Sequence, residues 1–191
     1  LIDSRSLCDW RAAVRRWRDE YPAVKPEYYD YSGVKPGYYD YHGINPYVFI
    51  KALSEEMNAD DMLVHETGSN AVVTSQAFES KLGQRVFSNH GNSSLGYALP
   101  AAIGAAIATG RRVICITGDV GLSFNIQELE TLHRLDLPVK IFVFNNGGCG
   151  ITRAFRMEKF GGELAGVDRE HGLSLPDYIR VAAAYGLITL S

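Results

Sequence analysis

A chain of 191 residues, 46% hydrophobic and 21% charged, is long enough to bury one substantial core and has the balance of an ordinary water-soluble globule rather than a disordered or fibrous chain. Its net charge of −3 gives no electrostatic reason to expect nucleic acid or an anionic membrane surface as a partner. No apolar run approaches the ~18–20 residues of a membrane span, and the opening Leu1-Ile2-Asp3-Ser4-Arg5 does not read as a signal peptide.

Residues 6–20 carry Leu7, Trp10, Val14 and Trp17 at helical spacing among arginines, which predicts an amphipathic helix. A direct repeat follows, Val24-Lys25-Pro26-Glu27-Tyr28-Tyr29-Asp30-Tyr31-Ser32-Gly33 and then Val34-Lys35-Pro36-Gly37-Tyr38-Tyr39-Asp40-Tyr41-His42-Gly43. Two copies are too few for a solenoid, and the Pro and Gly punctuation predicts a linker or surface loop. Residues 1–44 are therefore set apart from a domain over 45–191.

Within that domain, helices are expected at 46–57, 70–82, 95–109, 125–135 and 176–185, the fourth opened by Asn125 as N-cap and the last stopped by Gly186. Strands are expected at 62–65, 85–87, 113–117, 139–144 and 188–191. Cys115, inside one of them, reads as a small buried hydrophobe. Strand and helix alternate with short connections, so the fold class is α/β, with a mainly parallel sheet and helices on both faces. The missing initial Met, and a last strand with no covering helix, lead us to expect a domain cut at both ends. Cys8, Cys115 and Cys149 form neither a metal spacing nor a disulfide framework, and a reducing cytoplasm is the expected location.

In open α/β sheets ligands bind beyond the carboxyl ends of the strands. Two strands here end in oxygen-bearing residues, one in Thr117-Gly118-Asp119 and one in Asn145-Asn146-Gly147-Gly148. A right-handed crossover between them brings Asp119 and Asn146 to one sheet edge. A carboxylate, an amide oxygen and a carbonyl from the glycine turn suit Mg²⁺, which takes its remaining ligands from phosphate and water. Any single Asp or Asn at a strand end is more often a cap or turn former, and the pairing acquires weight only from its surroundings.

Gly118-Asp119, Asn125-Ile126-Gln127-Glu128-Leu129, Leu137-Pro138-Val139-Lys140 and Asn145-Asn146, in this order, resemble the signature of thiamine diphosphate enzymes, especially acetolactate synthase-like ones. The stretch from Leu95-Gly96-Tyr97-Ala98-Leu99-Pro100 to Gly104-Ala105 is similar to that family's helix beside the cofactor. The resemblance implies a thiamine diphosphate-binding fold in which Asp119, Asn146 and the Gly148 carbonyl ligate Mg²⁺. It implies that Thr67, Gly68, Ser69 and Asn70 hold the diphosphate and that the Ser93 carbonyl accepts from the cofactor's 4′-amino group. Leu95 matches the apolar wedge under the bent cofactor, with a plain core leucine as the other reading. Gly118, Val120 and Gly121, and beyond the metal loop Cys149 and Ile151, are implied as further cofactor contacts.

The family usually has Gly-Asp-Gly where this chain has Gly118-Asp119-Val120, which puts a β-branched side chain, averse to positive φ, where backbone closely approaches the diphosphate.

The function implied is a thiamine diphosphate- and Mg²⁺-dependent decarboxylase or carboligase acting on a 2-oxo acid such as pyruvate. In the family, the cofactor is activated by a glutamate from an amino-terminal domain of a neighbouring subunit, so a homo-oligomer with its active site at the subunit interface is expected. No catalytic residue is assigned to this chain itself, which by itself is expected not to turn over. Glu66, Glu128 and Glu130 read as capping or solvated carboxylates. Arg153 and Phe155 fall where the resemblance places substrate-facing residues, Phe155 at a position that acetolactate synthases usually give to Trp. His90 reads as a proton shuttle or as a structural histidine. The rivals are a catalytically degenerate protein on the same fold and a nucleotide-binding α/β domain, although no Gly-x-Gly-x-x-Gly or Walker-type run is present.

Overall fold

The computed structural model describes residues 4–29 and 43–191. Residues 30–42, the end of the first copy of the Tyr repeat and all of the second except Gly43, lie outside those residues. The helix expected near the amino end is α1 (Ser4–Glu20), and the first repeat copy contributes a single 3-10 turn at Pro26–Tyr29.

Four strands form the sheet: β1 (Met62–His65), β2 (Arg85–Phe87), β3 (Val113–Gly118) and β4 (Val139–Phe144). They lie in the order β2-β1-β3-β4, all parallel, as the alternating pattern requires. One face is covered by α2 (Pro46–Glu56) and α3 (Ser69–Ala77), whose Ile50, Val73 and Ala77 pack with Leu63, Ile114 and Ile116. The other is covered by α4 (Ala98–Thr109), whose Ala98, Ala102 and Ala106 let the helix sit closely on Val64, Val113 and Cys115. Successive strand residues point to opposite faces, so β1 and β3 must be apolar on both, and each of Met62, Leu63 and Val64 is buried. Beside α4 lie α5 (Asp119–Ser123), α6 (Glu128–Arg134) and α8 (Tyr178–Ala184), joined by Leu99, Ile103, Leu122, Leu129 and Tyr178.

Several boundaries differ from the sequence expectation. α3 stops at Ala77 because the chain beyond it is recruited elsewhere: Lys81 Nζ donates to the carbonyls of Ser54, Glu55 and Met57, capping the end of α2. α4 starts at Ala98 instead of residue 95, since Gly96 sits at φ +88 and cannot continue a right-handed helix.

The helix expected over 125–135 is present as α6 but shorter, over Glu128–Arg134, behind a turn at 124–127. Asn125 is not an N-cap: its amide donates to the Gly96 carbonyl at 2.6 Å, and α6 begins three residues later. At the far end, Asp177 caps α8 by accepting from the Ile179 and Arg180 N–H groups, and Gly186 ends it as expected. The strand expected over 188–191 is absent. Those residues make no ladder bonds, and Ile188 and Leu190 are 97% and 91% exposed, because apolar composition alone makes no strand without a partner edge. Helix α7 (Gly150–Lys159), which the sequence reading had not delimited, follows the β4 turn and buries none of its residues.

Candidate functional site

The carboxyl ends of β1, β3 and β4 open into one cleft of about 450 Å³. β3 and β4 are in register up to Gly118 opposite Phe144, so Asp119 and the Asn145–Gly148 turn leave the sheet side by side. Asp119 is 1% exposed. Its Oδ1 accepts from the Val120 N–H at 2.7 Å and its Oδ2 from the Gly148 N–H at 2.9 Å. Its backbone carbonyl accepts from Tyr178 Oη at 2.5 Å, which ties the carboxylate's own residue to α8. Burial raises the pKa of the Asp119 carboxyl, and the N–H groups of Val120, Gly148, Gly147 and Asn146 oppose that rise. The β4 turn is therefore wrapped around one buried carboxyl group.

Two glycines make the turns possible. Gly68, at φ +97, reverses the chain between β1 and α3, and as the N-cap of α3 it offers no side chain. The helix start thus has no side-chain cap: Ala71 N–H donates to the Gly68 carbonyl at 3.0 Å, and the N–H groups of Ser69 and Asn70 precede the first intrahelical bond. Gly148, at φ +152, lies so close to the next segment that a Cβ there would meet the Val167 carbonyl oxygen at 2.1 Å. That contact holds the residue 166–168 segment against the turn, with Gly148 bridged to Asp168 and Cys149 N–H donating to Val167 O at 2.8 Å.

Most residues singled out from the sequence meet in this cleft. Thr67, Gly68, Ser69 and Asn70 line it from the α3 side, and Gly118, Asp119 and Val120 from β3. Asn146, Gly148, Cys149 and Ile151 line it from the β4 side, and Leu95 from the loop before α4. Asn146 is exposed, and the Gly148 carbonyl accepts from the Gly150 N–H at 3.1 Å. Burial raises the Cys149 thiol pKa and the Asp119 charge adds to it. Leu95 stands 40% exposed, outside any helix and outside the buried core.

Val120 takes an ordinary helical conformation in α5, so the positive φ that raised concern is not required of it. Ser93 and Gly121 do not line the cleft. Ser93 is exposed at φ +51 in the loop before α4. Gly121 is buried under β3, where a Cβ would meet Glu66 Cγ at 2.7 Å.

Glu66 has the capping role read for it. It is 1% exposed, and its Oε2 accepts from the N–H groups of Gly96 and Ala98 while Oε1 accepts from Thr67. It therefore binds the end of β1 to the start of α4. His90 lies away from the cleft, in a crevice beside β2, where its Nε2 is 3.3 Å from Ser75 Oγ and its ring is 5.2 Å from that of His65. Three residues that build the site had no sequence signal: Val167 and Asp168, which line the cleft against the Gly148 turn, and Tyr178, which does not line it but bonds the Asp119 carbonyl.

A diphosphate bound through a divalent ion fits this donor set. The first turn of α3 presents N–H groups to an anion, as helix starts do in phosphate sites. Asn70, 3% exposed, donates from its amide to Thr67 O at 2.9 Å, but its Oδ1 is buried without a partner. Asp119 supplies a hard anionic oxygen opposite.

A parallel sheet with a buried carboxylate at one strand end and an uncapped helix start across the cleft defines a class of α/β cofactor-binding domain. Residues 66–190 match the family described as thiamine pyrophosphate enzyme, C-terminal TPP binding domain, and the chain belongs to that family. It is 27% identical over 182 residues to the acetolactate synthase large subunit of Porphyra purpurea, covering 95% of this chain and 28% of that protein. It is 32% identical over 146 residues to a probable acetolactate synthase large subunit of Methanocaldococcus jannaschii, covering 73% of this chain and 24% of that protein. To the isozyme 1 large subunit of Escherichia coli K12 it is 28% identical over 153 residues, 80% of this chain and 25% of that one. The chain thus spans less than a third of the length of these relatives.

Proposed function

We propose that this chain is the diphosphate- and Mg²⁺-binding part of a thiamine diphosphate-dependent decarboxylase or carboligase that acts on a 2-oxo acid such as pyruvate. The observation that carries the reading is the buried Asp119 carboxylate, enclosed by the Asn145–Gly148 turn and facing the open start of α3 across one cleft. Asp119 and Asn146 would hold the cation with the Gly148 carbonyl, while the first turn of α3 and Asn70 would hold the diphosphate oxygens. Bound there, thiamine diphosphate supplies a nucleophilic carbon and an electron sink for carbonyl chemistry. The protein's part would be to fix and neutralise the anionic tail, with Leu95 as an apolar wall of the same cleft.

Among the described residues no carboxylate lies free in the cleft to activate the cofactor, because Asp119 belongs to the metal turn and Asp168 is bonded to His171. The reading therefore requires an activating group from another domain, across a homo-oligomer interface. Calorimetric titration with thiamine diphosphate in Mg²⁺ is the test: saturable binding that disappears when Mg²⁺ is chelated is expected. A folded protein that gives neither heat nor thermal stabilisation would refute the proposal.

A further inference from the structure

The cleft has three charged wall residues among those described, Asp119, Arg153 and Asp168, so Arg153 is its one cation. Arg153 stands in the first turn of α7, immediately beyond the metal turn. Its Nε lies 3.9 Å from Asp168 Oδ2, and its side chain is 58% exposed. Asp168 is itself fixed. Its backbone is bridged to Gly148, and its Oδ1 accepts from the His171 N–H at 3.1 Å and from Nδ1 of the same histidine at 2.5 Å. His171, and to a lesser degree Arg153, hold the Asp168 carboxyl below the usual carboxylate range, so it is ionised at neutral pH. It therefore sets a fixed negative charge beside Arg153 Nε, at ion-pair distance without a hydrogen bond, and leaves the terminal guanidinium nitrogens as a fork.

We propose that Arg153, positioned by the Asp168–His171 pair, receives the carboxylate of the 2-oxo acid substrate and selects it over uncharged carbonyl compounds. The inference rests on the functional reading above. The diphosphate is already matched by a divalent ion and the start of α3, whereas a planar guanidinium fork complements a planar carboxylate. The partial grip also suits the chemistry. The carboxylate's charge is withdrawn as CO₂ leaves, so a cation that held it tightly would stabilise the ground state more than the transition state. An exposed arginine already shared with Asp168 recognises the acid without that penalty. Arg153 accordingly acts on KM more than on kcat.

The test uses the protein loaded with thiamine diphosphate and Mg²⁺, comparing wild type with Arg153→Gln, Arg153→Lys and Asp168→Asn. Saturation-transfer NMR reads the binding of pyruvate and of methyl pyruvate, and calorimetry reads cofactor affinity. Arg153→Gln is expected to weaken pyruvate by about tenfold, the effect of losing one charge-assisted contact at a half-exposed site, and to leave methyl pyruvate unchanged. Arg153→Lys restores part of the loss, and Asp168→Asn gives a smaller loss of the same kind. If Arg153→Gln leaves pyruvate unchanged, or weakens both ligands equally, the proposal is overturned. If it instead weakens the cofactor itself, Arg153 serves the diphosphate and the assignment is wrong. If wild type binds no cofactor at all, the functional reading fails first and this inference falls with it.

Discussion

Asp119→Asn separates the binding role of this carboxylate from its structural one. Asn keeps the shape but has a single oxygen, so one of the two N–H donors, Val120 or Gly148, loses its acceptor. An unpaired buried donor costs about 1–3 kcal/mol. Against that, the substitution removes a charge that burial disfavours. The two terms oppose, so the ligand-free thermal midpoint should move by only a few degrees.

The response to ligand should change completely. At a cofactor concentration about 100 times its Kd, with Mg²⁺ present, wild type gains about 2.7 kcal/mol by mass action. For a domain of this size that is roughly 5–10 °C. Asp119→Asn should gain none, because an amide oxygen cannot replace the anionic ligand of a hard cation. Thermal scans with and without thiamine diphosphate and Mg²⁺ measure both effects. A variant whose ligand-induced shift equalled that of wild type would remove Asp119 from the metal site.

Glu66→Ala should destabilise the protein by about 3–5 kcal/mol in chemical denaturation, since three N–H groups lose their acceptor; Glu66→Gln should lose less than half of that. Gly148→Ala puts a Cβ against the Val167 carbonyl and should cost about 2–5 kcal/mol while weakening cofactor binding, both readable from one set of titrated thermal scans. At the opposite end of the sheet, Arg112 forms a two-pronged pair with Asp61, and this pair, ahead of the Asn58 N–H, lowers the Asp61 pKa. A depressed folded-state carboxyl stabilises above its unfolded pKa of about 4 and loses that contribution as pH falls through the folded value. Arg112→Ala should therefore cost about 2–3 kcal/mol at neutral pH, less than a fully buried pair because Arg112 is 38% exposed, and should flatten the acid limb of a stability-versus-pH curve.

The parallel sheet was legible because β1 and β3 are buried on both faces, which shows as the apolar runs Met62-Leu63-Val64 and Val113-Ile114-Cys115-Ile116 shortly before Glu66 and Asp119. The gathering of Thr67–Asn70, Asp119 and the β4 turn followed from topology: three parallel strands must end at the same edge. What sequence reasoning lost was set by contacts distant along the chain. Lys81 shortened α3 by capping α2, Asn125 was drawn to Gly96 instead of capping α6, and no composition could reveal that Val167 would seat against Gly148. The 188–191 run failed for a related reason, because period and hydrophobicity report what a segment could do, and a strand exists only where an edge accepts it.

The same distinction separates the two halves of the cleft. Its diphosphate side is made of backbone and buried side chains already bonded within this chain: Asp119 to Val120, Gly148 and Tyr178, Asn70 to Thr67, and Glu66 to the start of α4. Such a scaffold can bind an anion without rearranging, and the binding energy is not spent on ordering the protein. Its other side is different. Ile151, Phe155 and Phe160 of the α7 segment stand 41%, 52% and 61% exposed, and Leu95 stands 40% exposed. Ile151 and Leu95 thus leave apolar surface open in the cleft wall, and the α7 segment carries two further exposed aromatics, Phe155 and Phe160, outside it. The cleft is therefore bonded in place on the side of Asp119 and α3, and apolar and open on the side of α7.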